Sequence, residues 1–194
     1  MAVLIEVKGV TKNFEDKRIL NDVSLSINEN EILGIIGQSG AGKTVLMKII
    51  IGFYKPDKGK VLYSTKGLKS NIKEIKKKVG FASQHHSIYP DLSVKENLRY
   101  FGNLYGMKRK EIKNRIPEVL KLVELSGYKN KLAIKMSGGM NRRLDIACAL
   151  MHSPKILILD EPVSGLDPVL RKHMTKLIQK IRQEGTTIIF LRIS

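Results

Sequence analysis

At 194 residues, 42% of them hydrophobic, the chain suits one domain, or one core with a smaller attached lobe. No apolar run approaches the roughly 20 residues that a bilayer span needs, Met1 to Glu6 has no signal-peptide character, and a single cysteine, Cys148, excludes an internal disulfide framework and fits a small core residue in a reducing cytosol. The net charge of +17 favours acidic partners such as nucleotides, nucleic acid or an anionic membrane face, but the basic runs at Lys76–Lys78, Lys108–Lys110 and Lys129–Lys135 lack the interleaved aromatics that stack bases, and a solvated lysine-rich surface accounts for them equally well.

Leu4 to Val7 reads as a short strand, and Phe14 beyond it is a lone aromatic that could stack on a base or simply belong to the core. Val23, Leu25 and Ile27 alternate with polar residues, the pattern of a half-buried strand. Ile32 to Ile36 is continuously apolar, as in a strand covered on both faces. Gly37-Gln38-Ser39-Gly40-Ala41-Gly42-Lys43-Thr44 follows it and fits the pattern G-x-x-x-x-G-K-[ST] at every fixed position. A helix is predicted next over Val45 to Phe53, where Leu46, Ile49, Ile50 and Phe53 recur at helical spacing. Val61 to Tyr63 and Val79 to Ala82 are further short strands, and Gln84 stands at the end of the second. His85 and His86 are adjacent, a poor spacing for zinc, and have no cysteine company.

Between about Pro90 and His152 the period becomes helical. Ser93-Val-Lys-Glu96 is a capping box, and Val94, Leu98, Phe101 and Tyr105 share one face. Ile112, Ile116, Val119, Leu120 and Val123 form a second stripe, with Pro117 as a late start or a kink. Met140, Leu144, Ala147, Cys148 and Met151 form a third. Strand character returns in Ile156 to Leu159, which ends in Asp160-Glu161. Asp167-Pro168 is an N-cap followed by an N1 proline, and Leu170, Met174, Leu177, Ile178 and Ile181 line the helix it opens. Thr186 to Leu191 is a last β-rich run.

Three of these segments carry chemistry. A glycine loop between a strand and a helix wraps its backbone N–H groups around an anion, and the helix N-terminus adds partial positive charge. Lys43 supplies a full charge for β- and γ-phosphates, and the Thr44 hydroxyl suits Mg²⁺. Asp160 and Glu161 arrive at the carboxyl end of a buried strand, where parallel sheets bind ligands; Asp160 suits the metal and Glu161 a general base. Ser137-Gly138-Gly139 opens the third helix and exposes N–H groups to an anion, although a serine there is also an ordinary cap. Gln84 could ligate Mg²⁺ or orient water.

Together these motifs resemble, over essentially the whole chain, the ATP-binding cassette (ABC) ATPase family. Gly37 to Thr44 is similar to its Walker A, Gln84 to its Q-loop, Met136-Ser137-Gly138-Gly139-Met140 to its signature, Ile156 to Glu161 to its Walker B with catalytic glutamate, and Ser164-Gly165-Leu166-Asp167 to its D-loop. Phe14 stands where the family's adenine-stacking aromatic stands. The stretch from Ser137 to Leu144, with Glu96 to Gly106 upstream, is similar to cassettes of ABC-2-type exporters for drugs, sodium or polysaccharides.

The resemblance implies an α/β fold, a P-loop NTPase core of mixed sheet with flanking helices and an inserted helical lobe. The core is expected over about 1–89 and 153–194, and the lobe over about 90–152. It implies ATP and Mg²⁺ as cofactors, the nucleotide held by residues 37–44, Phe14 and Asp167 of one subunit and by Ser137, Gly138 and Gly139 of a second cassette, head to tail. The catalytic set is Glu161, Lys43 and Gln84, and Mg²⁺ falls to Thr44, Gln84 and Asp160. It implies a separate transmembrane permease, with the cassette cytoplasmic and peripheral on the inner face of the membrane, contacting its partner near Gln84 to Asp91. A nucleic-acid- or ribosome-associated ATPase is the less favoured alternative, kept open by the +17 charge, because repair-type members separate the Walker motifs by a long coiled coil and translation-type members carry two cassettes. Two departures stand out. Met140 replaces the usual glutamine. The family's switch histidine, expected near residue 193, is replaced by Arg192-Ile193-Ser194, and no histidine follows His173, so a shortened piece or a weakened turnover is expected.

Overall fold

A computed structural model describes residues 2–63, 75–83 and 87–193, without the side chain of Ile193. The parallel and antiparallel strands fall into two sheets. β1 (Val3–Phe14), β2 (Lys17–Asn28) and β4 (Lys58–Tyr63) form an antiparallel sheet in the order β2-β1-β4. β3 (Ile32–Gly37), β5 (Val79–Ala82), β6 (Ile156–Asp160) and β7 (Thr187–Ile193) form a parallel sheet in the order β3-β7-β6-β5.

The core follows from the period-2 alternation of the parallel strands. Ile156 and Ile158 of β6, with Ile189 and Leu191 of β7, point into one cluster together with Leu46, Met47, Ile49 and Ile50 of α1 (Lys43–Ile50) and the inner face of β1. Leu157, Leu159 and Ile188 point the other way, into a cluster built with α2 (Val94–Leu104), α3 (Arg109–Leu122), α4 (Gly138–Leu150) and α5 (Pro168–Gln183). A strand buried on both faces needs an apolar residue at every position, which is why β6 reads Ile-Leu-Ile-Leu.

Four local readings change. β3 is not covered on both faces: it lies at the edge of the described parallel sheet, and Ile36 is 61% exposed. α1 stops at Ile50, and Phe53 lies beyond it, 63% exposed, under the ammonium groups of Lys48 and Lys76. Pro117 is not a late start: it lies inside α3, which begins at Arg109 behind a carboxylate of Glu111 that accepts the Lys108 N–H at 2.7 Å. α4 has more than a stripe: every residue from Leu144 to Leu150 is buried, as is Arg142, because the helix lies between α2 and α3 and the β5–β6 part of the sheet.

Candidate functional site

Four parallel strands bring four carboxyl ends to one edge of the sheet, the edge at which open α/β sheets bind ligands. The loop 38–42 leaves β3, Ser83 leaves β5, and Asp160-Glu161 leaves β6. β7 runs between β3 and β6, so the glycine loop and the carboxylates stand two strand spacings apart, roughly 10 Å.

The loop needs its glycines for two different reasons. Gly40 has φ +79 with open space around it, so only its backbone angle demands glycine. Gly42 has φ +85, and a Cβ there would lie 2.9–3.0 Å from Leu20, Ile19 and the Ile19 carbonyl. Gly42 is also the N-cap of α1, so the first-turn N–H groups, which have no partner within the helix, face the loop interior. Lys43 Nζ donates to the carbonyls of Gly37 at 2.7 Å and Gln38 at 2.8 Å, which places the ammonium inside the same turn. A left-handed cradle of N–H donors with a lysine across its mouth fits a polyphosphate. Thr44, exposed, is the first residue after that lysine.

On β6, Asp160 is half-buried and pairs in register with Leu191. Glu161 is 8% exposed and holds φ +52, a left-handed angle rare for glutamate. Its N–H donates to the Leu191 carbonyl at 3.0 Å and its carbonyl accepts from Ser164 at 3.3 Å. Non-glycine residues held at such angles concentrate where function requires it.

Ser137 caps α4 by accepting the Met140 N–H at 3.3 Å. Ser137 and Gly138 are exposed, whereas Gly139 is half-buried and a Cβ there would come within 3.3 Å of Leu170 on α5, so the tip is covered on one side and open on the other. Asp167 caps α5 by accepting from Val169 and Leu170 at 2.9 Å each, ahead of Pro168 at the first turn. Phe14, 39% exposed, closes the β1–β2 hairpin with its ring edge-on to Tyr54 and beneath Lys12. The same hairpin touches the glycine loop through Ile19 and Leu20. Gln84, with His85 and His86, lies outside the described residues.

Sequence reasoning missed Arg142 and Asp145. Both are buried, 3.3 Å apart, and Arg142 reaches the carbonyls of Ser83 and Asp160. Burial pushes Asp145 up to about 6 and lowers Arg142, which outweighs their mutual attraction.

Known proteins with this combination can be named. The family described as "ABC transporter" matches residues 20–164. The spermidine/putrescine import ATP-binding protein PotA of Clostridium novyi (strain NT) is 36% identical over 189 residues, which are 97% of this chain and 54% of that protein; the chain thus spans about half the length of this curated relative. Among solved structures, CbiO1 from Clostridium perfringens, described as part of the ABC transporter complex CbiONQ, superimposes with a TM-score of 0.89 at 26% identity, covering 100% of this chain and 79% of that one. The ADP conformation of MJ1267, an ATP-binding cassette of an ABC transporter, gives 0.85 at 25% identity, covering 100% and 82%. By the family match and the identity to PotA, the chain belongs to the ABC transporter family, and it has the family's P-loop α/β fold.

Proposed function

We propose that the chain binds and hydrolyses ATP with Mg²⁺ to drive transport through a separate membrane-spanning subunit. The observation that carries this is the shared sheet edge, with the Lys43 loop on β3 and Asp160-Glu161 on β6 and only β7 between them. Residues 37–44 grip the phosphates through backbone N–H groups, and Lys43 adds charge where the transition state gains it. Phe14 offers its face to adenine. Thr44, Asp160 and Gln84 would hold Mg²⁺, which supplies charge neutralisation between β- and γ-phosphates. Glu161, turned by its left-handed backbone, receives a proton from the attacking water. Ser137 and Gly138 are exposed and Gly139 half-buried at a helix start, which leaves the tip open to donate to the γ-phosphate of a second cassette, and Asp167 sits at a neighbouring helix start.

Among the described residues no helix is long and apolar enough to cross a membrane, so the spans belong to another part of the assembly. The CbiONQ description supports such a division of labour. The Ser137–Leu144 stretch favours export, whereas the PotA relative is named for import, so the proposal covers the energy-coupling step and leaves direction to the permease. The test is Glu161→Gln with ATP and Mg²⁺: a dimer on size exclusion, absent with Lys43→Ala, supports the head-to-tail sandwich, and a monomer throughout overturns it. A second reading is an ATP-holding module of slow turnover, supported by Ile193 standing where the resemblance puts the switch histidine. Phosphate release at saturating ATP no higher than that of Lys43→Ala selects it.

A further inference from the structure

Neither Arg142 nor Asp145 has been given a role above, yet together they reach the ends of β5 and β6. Arg142 Nη1 donates to the Ser83 carbonyl at the end of β5, and Nη2 donates to the Asp160 carbonyl at the end of β6. Nη1 also faces Asp145 Oδ2 at 3.3 Å, and the other carboxylate oxygen of Asp145 accepts the Ser87 N–H at 3.2 Å. The pair therefore fastens the chain just before and just after positions 84–86 and, by the same guanidinium, the backbone of the metal-side carboxylate. All of this is anchored on α4, whose first residues form the Ser137-Gly138 tip about 7 Å away along the helix axis.

Stability does not account for the pair. Both side chains are nearly fully buried, and burial disfavours the charge on each. Apolar side chains of like volume commonly replace such a buried pair without loss, and often with gain. A planar fork that reaches two carbonyls on two strands is a task that neither an apolar residue nor the single point charge of lysine performs.

We propose that Arg142 and Asp145 are positioning residues that lock the α4 tip, the residues on either side of positions 84–86 and the β6 carboxylates into one rigid unit. The inference deepens the proposed function and rests on it. In a head-to-tail dimer the Ser137 tip serves the partner's nucleotide while Asp160 serves the chain's own. The Arg142 fork thus joins the two nucleotide sites through a single side chain.

The test compares the full wild-type chain with Arg142→Lys and with the paired change Arg142→Met plus Asp145→Leu, in two assays. In phosphate release, both variants are expected to keep the KM for ATP within about threefold and to lose at least tenfold in kcat, with the paired variant melting at or above the wild-type Tm. In amide hydrogen exchange without nucleotide, the paired variant is expected to exchange at least tenfold faster at residues 87–89 and 160–164, with α4 unchanged. Wild-type kcat and exchange in a folded paired variant would overturn the proposal, as would a uniform rise in exchange together with a lowered Tm. A wild-type chain with no phosphate release sinks the ATPase reading instead, and the exchange result then still decides whether the brace exists.

Discussion

The phenol ring of Tyr105 lies flat on the imidazole of His152, 3.7 Å between ring centres and 21° from parallel. The imidazole Nε2 faces the Val79 carbonyl at 3.2 Å, so it carries the hydrogen, and Nδ1 is buried without a hydrogen-bond partner. Burial first, then the nearby charges of Lys78 and Arg115, push His152 down to about 4.

Acid is therefore expected to weaken the fold through His152. The unfolded chain binds a proton below about 6.5 that the folded chain resists until about 4, so stability falls as pH drops through that window. Between pH 6.5 and 5 the loss is on the order of 1 kcal/mol, because the slope of roughly 1.4 kcal/mol per pH unit is reached only once the unfolded imidazole is fully protonated and solvent screens part of the effect. Asp145 works the other way: its folded value is raised to about 6, so the folded chain binds the extra proton and gains stability as pH falls from about 6 toward 4. Urea unfolding at pH 5, 6 and 7 should show His152→Phe losing the acid sensitivity and Asp145→Asn steepening it.

Asn97 should be the most costly polar residue of the lobe. It is fully buried, accepts the Tyr89 N–H at 2.8 Å, and donates to the carbonyls of Tyr89, Leu92 and Ser93 at 3.0–3.2 Å. Asn97→Ala strips the buried Tyr89 N–H of its acceptor and removes the side-chain bonds, although the three carbonyls keep the backbone N–H groups of Leu92, Ala133 and residue 97, for a loss of about 3 kcal/mol. For a chain of this size that lowers Tm by roughly 6 to 12 °C in calorimetry.

Gly42 and Gly138 should separate under the same substitution. Gly42→Ala meets a positive φ and contacts of 2.9–3.0 Å, so it should lower Tm by a few degrees and weaken binding of a fluorescent ATP analogue at least tenfold. A Cβ at Gly138 meets nothing within 4 Å. Gly138→Ala should leave Tm and nucleotide affinity of the isolated chain unchanged and weaken only the ATP-dependent dimer.

Gly80 tests the seating of α4 on the sheet. A Cβ there would come within 2.4 Å of the Ala149 carbonyl, a backbone atom that cannot step aside without moving the helix. Gly80→Ala is expected to destabilise by about 1–3 kcal/mol in denaturant unfolding, with ATP turnover falling as α4 shifts.

The phosphate loop, the capping box at Ser93 and the Asp167-Pro168 helix start were legible because each depends on residue types at fixed local spacing. β1 ran longer than its sequence suggests because register shifts around Gly9, at φ +58, break the alternation that marks a strand. Arg142 and Asp145 escaped notice because charged residues on a helix read as a solvated face, and only the packing of α4 on all sides makes them internal. The left-handed turn at Glu161 has no sequence signal, since glutamate seldom adopts it.

A helix enclosed on every side, ending in an exposed serine and glycine, has one more consequence. Its conformational entropy is already lost when the monomer folds, so little ordering remains to oppose association at that tip. Contact there should be fast to form and sensitive to geometry, because a tip that cannot flex cannot adapt to a misplaced phosphate.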